Sequence, residues 1–153
     1  MNFNIYMMKH LKSLLLFLFF VSTVSYAQKF NFKTSGYMVS QKDNKGNWSD
    51  WSKLQKSEMT VLLDMESHRI VVYSEVLQLF SIMKYGNQET IGDDDVVKFN
   101  CVDNNGVECV LTIYTRKKQG GRNQLYITYE DMIIAYNMTV LEDKPAKRNN
   151  SKL

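Results

Sequence analysis

Val96-Val97-Lys98-Phe99-Asn100-Cys101-Val102, then Asp103-Asn104-Asn105-Gly106-Val107, then Glu108-Cys109-Val110-Leu111-Thr112-Ile113 is the stretch that decides the fold. Two runs that alternate apolar with polar residues flank a turn made of Asp, Asn and Gly, and that pattern is a β-hairpin. A three-residue loop with Gly106 in the left-handed conformation sets Cys101 directly opposite Cys109. The alternative, a two-residue Asn-Gly turn, shifts the register by one. Alternation supports the three-residue loop. Val97, Phe99 and Cys101 share one face with Cys109, Leu111 and Ile113, while Lys98, Asn100, Thr112 and Arg116 point the other way.

The same texture extends in both directions. Short segments rich in Val, Ile, Thr, Tyr and Phe are separated by turn residues, and the expected strands are Phe30–Gln41, Glu58–Asp64, Arg69–Glu75, Val76–Tyr85, Val96–Val102, Glu108–Lys117, Gln124–Glu130 and Met132–Leu141. Asp43-Asn44-Lys45-Gly46, Glu66-Ser67-His68, a loop from Gly86 to Asp95, and Gln119-Gly120-Gly121-Arg122 supply the other connections. Connections this short force antiparallel neighbours. The reading is therefore an all-β single domain of about eight antiparallel strands in meander order. Closing it into a small up-and-down, calycin-like barrel hides the sheet edges, and a two-sheet β-sandwich is the alternative.

Gly46-Asn47-Trp48 resembles the G-x-W signature that lipocalins carry near the first strand of such a barrel. The resemblance covers three residues, and an apolar strand already precedes them, so it implies an architectural analogy and no more.

The N-terminus has a different character. Lys9, His10 and Lys12 precede an apolar run from Leu14 to Val21, and small residues follow, with Ser25 and Ala27 at the positions a signal peptidase reads. Residues 1–27 are read as a secretory signal cleaved near Ala27, with Met7 or Met8 as alternative starts. The run is shorter than the roughly 20 residues that cross a bilayer, so no transmembrane anchor is expected after cleavage. The expected location is secreted or periplasmic. Ser151-Lys152-Leu153 spells a peroxisomal address, but a signal acts before the last residues are made, and the match is read as coincidence.

Residues 28–143 form the expected β domain and residues 144–153 a basic, disordered tail. With 44% hydrophobic and 23% charged residues the chain as a whole is of globular type. The net charge of +3 owes much to Lys9 and Lys12 in the signal and to Lys144, Lys147, Arg148 and Lys152 in the tail. Between them acids outnumber bases, which argues against a nucleic-acid partner.

Few residues suggest chemistry. Trp48 and Trp51 flank Ser49-Asp50 beside a polar turn, where indoles stack on a sugar-like ring or cap a barrel mouth, or else plug one end of the core. Cys101 and Cys109 suit a disulfide worth about 2 to 3 kcal/mol in an oxidising compartment, or two buried thiols. Glu89, Asp93, Asp94 and Asp95 gather carboxylates, but consecutive aspartates lack the every-second-residue spacing of a calcium loop, so no metal is expected. Lys117, Lys118 and Arg122 make a basic tip that faces an anionic partner or simply keeps the sheet soluble. Asn47-Trp48-Ser49, Asn137-Met138-Thr139 and Asn149-Asn150-Ser151 match the glycosylation acceptor pattern.

With His68 alone in the body and no nucleophile motif, no catalytic residues and no cofactor are expected. The expected function is a non-enzymatic binding or interaction module for a small apolar or sugar-like ligand or another exported protein. The alternatives are a cell-surface polymer hydrolase using a carboxylate pair, and an assembly component that joins a partner by strand addition.

Overall fold

The structure is a computed structural model and describes residues 28–141. The expected signal (1–27) and basic tail (144–153) lie outside the described residues. Ten strands follow one another: β1 (Lys29–Gln41), β2 (Gln55–Lys56), β3 (Thr60–Asp64), β4 (Arg69–Tyr73), β5 (Gln78–Tyr85), β6 (Glu89–Ile91), β7 (Asp94–Asp103), β8 (Glu108–Arg116), β9 (Arg122–Thr128) and β10 (Met132–Leu141). A short 3-10 turn, Lys117–Gln119, precedes β9.

Each long strand pairs with its neighbours along the chain, in the order β10-β9-β8-β7-β5-β4-β3-β1, and β1 then pairs with β10 from Asn31↔Leu141 to Gln41↔Met132. The sheet is thus a closed, eight-stranded antiparallel barrel in meander order, and the sandwich alternative falls away. Closure removes the open edges that a flat meander would present.

The hairpin that opened the reading has the expected register. Cys101 pairs with Cys109 and Phe99 with Leu111, and Gly106 sits at φ 81°. Asp103 holds the turn by accepting the N–H of Asn105 at 2.8 Å and of Val107 at 2.9 Å on Oδ1. The turn at Asp43 repeats this design, with Oδ1 accepting from Lys45 at 2.8 Å and Asn47 at 2.9 Å and with Gly46 at φ 82°.

Inward alternation fills the interior. Ile70, Val72, Leu111, Leu125 and Ile127 have no exposed surface, and they join Phe80, Phe99 and Met138 in one continuous cluster. Eight strands enclose just enough space for such side chains.

Two expectations are corrected. The span from Gly86 to Asp95, read as a loop, contains β6 and the start of β7, paired Glu89↔Val96, Thr90↔Asp95 and Ile91↔Asp94. Gly92 alone of the two turn residues has positive φ (63°), the mark of a tight II′ turn, so the ribbon continues where the acidic run suggested irregular chain. The expected Glu58–Asp64 strand begins only at Thr60, and β2 beside it was missed. Thr34 is the cause, because it faces inward and its Oγ1 accepts the Met59 N–H at 2.8 Å and bonds Ser57 Oγ at 2.8 Å.

Candidate functional site

The segment between β1 and β3 is tied to the free edge of β1 partly by serine hydroxyls. Ser49 and Ser52 donate their N–H groups to the carbonyls of Gln41 and Val39 at 2.8 and 2.9 Å. Their hydroxyls accept the N–H groups of Gln41 (3.1 Å) and Val39 (3.0 Å). The hydroxyls thus supply the acceptors a paired strand would offer. This path carries both tryptophans outside the barrel, where Trp48 is 42% and Trp51 43% exposed, so the core-plug reading of either indole is wrong.

The two indoles part company there. Trp48 carries Lys42 Nζ over its ring at 4.9 Å. Trp51 leans edge-on against Tyr126, ring centroids 6.1 Å apart at 82°. Tyr126 in turn meets Tyr114 at 5.1 Å, and the Arg116 guanidinium lies over Tyr114 at 4.5 Å.

The register explains what lies beneath. Tyr114, Gln124, Asn137 and Gly36 form one row across β8, β9, β10 and β1, and Thr112, Tyr126, Ala135 and Met38 form the next. These side chains face away from the core, yet Ala135 is only 2%, Thr112 7% and Asn137 7% exposed. Trp51 starts beside β1 and reaches Tyr126 on β9, so it spans the intervening β10 where Ala135 lies, and the wall is small enough there to admit it.

Polar groups link along the wall. Arg116 Nε donates to Gln124 Oε1 at 2.9 Å, Gln124 Nε2 donates to Asn137 Oδ1 at 2.9 Å, and Arg122 donates to the same oxygen. Burial works against the Arg116 charge, but the bond and ion pair to Asp94 outweigh it and raise its pKa. The result is a half-exposed aromatic platform over a wall of amide and hydroxyl side chains.

The aspartates of the acidic run are neutralised by Lys117 and Lys118 of the basic tip and by Arg116 just before it, while Arg122 of the tip bonds Asn137 instead. Asp93 pairs with Lys118, Asp94 with Arg116 and Asp95 with Lys117 at 2.7 Å. The bond from Lys117 holds the Asp95 carboxyl below its ordinary range. Among the described residues no group of three or more His, Cys, Asp or Glu side chains stands close enough to hold a metal, and Glu89 is exposed at the ribbon edge.

The expected Cys101–Cys109 bridge is not formed in the structure. Both thiols are free and buried, and they oppose each other inside the barrel. The Asp103 N–H bonds the Val107 carbonyl, so alternation makes the Cys101/Cys109 position a hydrogen-bonded one, the wider of the two pair types. Burial pushes the Cys101 thiol up to about 12 and the Cys109 thiol to about 11, which leaves neither a nucleophile.

Asp64, the last residue of β3, is fully buried. Burial opposes its charge, and the bonds from Ser67 with the charges of Lys29 and Arg69 lower its pKa in spite of that. His68, at φ 49°, shares a 2.7 Å hydrogen bond with the Tyr85 hydroxyl. Asp64 is the only fully buried carboxylate among the described residues, and it shares the Lys29 ammonium with the exposed Glu66, at 3.6 and 3.8 Å.

Two open depressions mark the surface. One, about 550 Å³, lies over β5, β7, β8 and β9 and includes Met83, Asn100 and Val110; the other, about 590 Å³, lies between Tyr37, Met59, Tyr73 and Val76. Asn137 of the Asn137-Met138-Thr139 triplet lies inside β10, paired with Gly36 on one side and Gln124 on the other.

Protein-family models, curated proteins and solved structures give no match to this chain.

Trp51 stands out in the sequence beside its polar turn, but its neighbours do not. Tyr114, Tyr126, Thr112, Gln124 and Asn137 read as the ordinary outward positions of three strands, and the only available signal was two tyrosines at outward sites of β8 and β9.

Proposed function

We propose that this protein is an exported, non-enzymatic binding module that holds its ligand against the outer wall of the barrel. Trp51 carries the reading: a large aromatic side chain left 43% exposed, docked on Tyr126, above polar side chains that are themselves shielded. Exposing that much indole costs free energy that a ligand face recovers on binding. The continuous side-chain cluster inside the barrel favours the wall over the interior as the place for a ligand. Export rests on the signal-like layout from Lys9 to Ala27.

The test is a melting-shift screen of the processed chain against apolar compounds, saccharides and peptides. A shift abolished by Trp51→Ala and kept by Trp48→Ala supports the wall. A shift that persists in Trp51→Ala, or a ligand located among Leu111, Leu125 and Phe80, overturns it.

A further inference from the structure

Asn137 is 7% exposed, and its Oδ1 is used twice, by Gln124 Nε2 and by Arg122. Its Nδ2 makes no hydrogen bond among the described residues. Thr112, also 7% exposed, lies opposite Tyr126 on the adjacent strand, and its Oγ1 likewise has no partner there. Neither atom is sealed from solvent, since Arg69 Nε is the only fully enclosed side-chain nitrogen or oxygen without a partner among the described residues. The Tyr126 hydroxyl receives a single long bond, 3.5 Å from Arg116. One amide donor and two hydroxyls therefore reach the surface of the same wall, beside the Trp51 and Tyr126 rings.

These groups discriminate among ligand classes. An apolar ligand pressed onto the wall would strip water from Asn137 Nδ2 and Thr112 Oγ1 and return no hydrogen bonds, a cost for each group. Arg116 is already paired with Asp94 and the Arg122 guanidinium is bonded to Asn137 Oδ1, so one acidic group on the ligand is accommodated but not required. A sugar ring meets both demands, with a C–H face for the aromatic platform and rim hydroxyls that donate and accept.

Resting on the outer-wall reading above, we infer that the wall binds a saccharide, with one ring packed on the Trp51 indole beside Tyr126 and its hydroxyls bonded to Asn137 Nδ2 and Thr112 Oγ1. The bonds are ground-state contacts, and no covalent step is involved.

The test uses the processed full chain on an array of neutral and acidic oligosaccharides, followed by calorimetric titration of the strongest array hit. Trp51→Ala is expected to weaken that hit at least about tenfold and Thr112→Val about three- to tenfold. Thr112→Val removes a hydroxyl that has no partner among the described residues, so its melting temperature should hold or rise, which separates loss of binding from loss of fold. If no oligosaccharide binds while an apolar compound or peptide still depends on Trp51, the saccharide assignment is overturned and the wall remains the binding face. An oligosaccharide held with full affinity by both variants overturns the wall as well.

Discussion

At the scale of single residues, one glycine does more than turn a corner. Gly36 sits just after the irregularity between Thr34 and Gly36 in β1, and a Cβ there would lie 2.7 Å from the Gln55 carbonyl and 3.0 Å from Leu54 Cδ1. The obstacle is backbone, so the segment carrying Trp51 would have to move away. Gly36→Ala is expected to cost about 1 to 3 kcal/mol in chemical denaturation and to weaken ligand binding together with stability. Gly106 is a different case, since nothing lies within 4 Å of its missing Cβ but its φ is 81°. There Gly106→Ala should cost about 1 kcal/mol through backbone conformation alone and leave binding unchanged.

At the scale of elements, the ribbon of β6, β7 and β8 is clamped by three ion pairs of unequal worth. Arg116 and Asp94 are 24% and 23% exposed, and Arg116 also bonds Gln124 and Tyr126, whereas Lys118 and Asp93 are 77% and 53% exposed. Asp94→Asn is expected to lower stability by about 1 to 2 kcal/mol, because it leaves a charge-assisted network incomplete. Asp93→Asn should change it by less than about 0.5 kcal/mol, because exposed pairs are screened and mobile. Equal losses in denaturant titrations of the two variants would show that the ribbon does not depend on the Arg116 network. This element also shows why the Gly86 to Asp95 span was misread: three successive aspartates look like solvated loop until their partner bases, at the end of β8 and in the turn after it, are seen to neutralise them.

At the scale of the whole molecule, a packed interior and a set of stabilised carboxylates define the conditions for folding. Leu111 has no exposed surface, and Leu111→Ala should cost about 2 to 5 kcal/mol while leaving the affinity of the outer wall intact in the folded fraction. Asp43, Asp64, Asp95 and Asp103 all titrate below the ordinary 3.8 in the folded chain. The unfolded chain therefore binds more protons than the folded one as pH falls, so this stability is complete above that value and is lost as pH drops through the lowered folded pKa values. Cys101 and Cys109 act in the opposite sense. Their folded pKa values of about 12 and 11 stand above the ordinary 9.0, so their contribution is complete below pH 9.0 and declines as pH rises toward those values. Melting temperature against pH should show a plateau with an acid and an alkaline limb, and replacing both cysteines with alanine should make the alkaline one shallower, leaving the part due to Tyr85, Tyr129 and Tyr136, whose hydroxyls burial also holds above the ordinary 10.0.

Local sequence specified the eight long strands, most of the turns and the register of the β7–β8 hairpin, because each depends on neighbours a few residues away, but not β2 or the β6 ribbon. Cys101 opposite Cys109 follows from Asn104-Asn105-Gly106 together with the alternation of the flanking residues. Tertiary structure decided the rest. It set β1 against β10, which are distant in sequence and became neighbours only when the sheet closed. It also brought Trp51, on the segment between β1 and β2, onto Tyr126 of β9, a contact that no local pattern encodes. The physical reason is that alternation tells which side of a strand is apolar, whereas the partner that shields an outward residue is chosen by how the whole sheet curves.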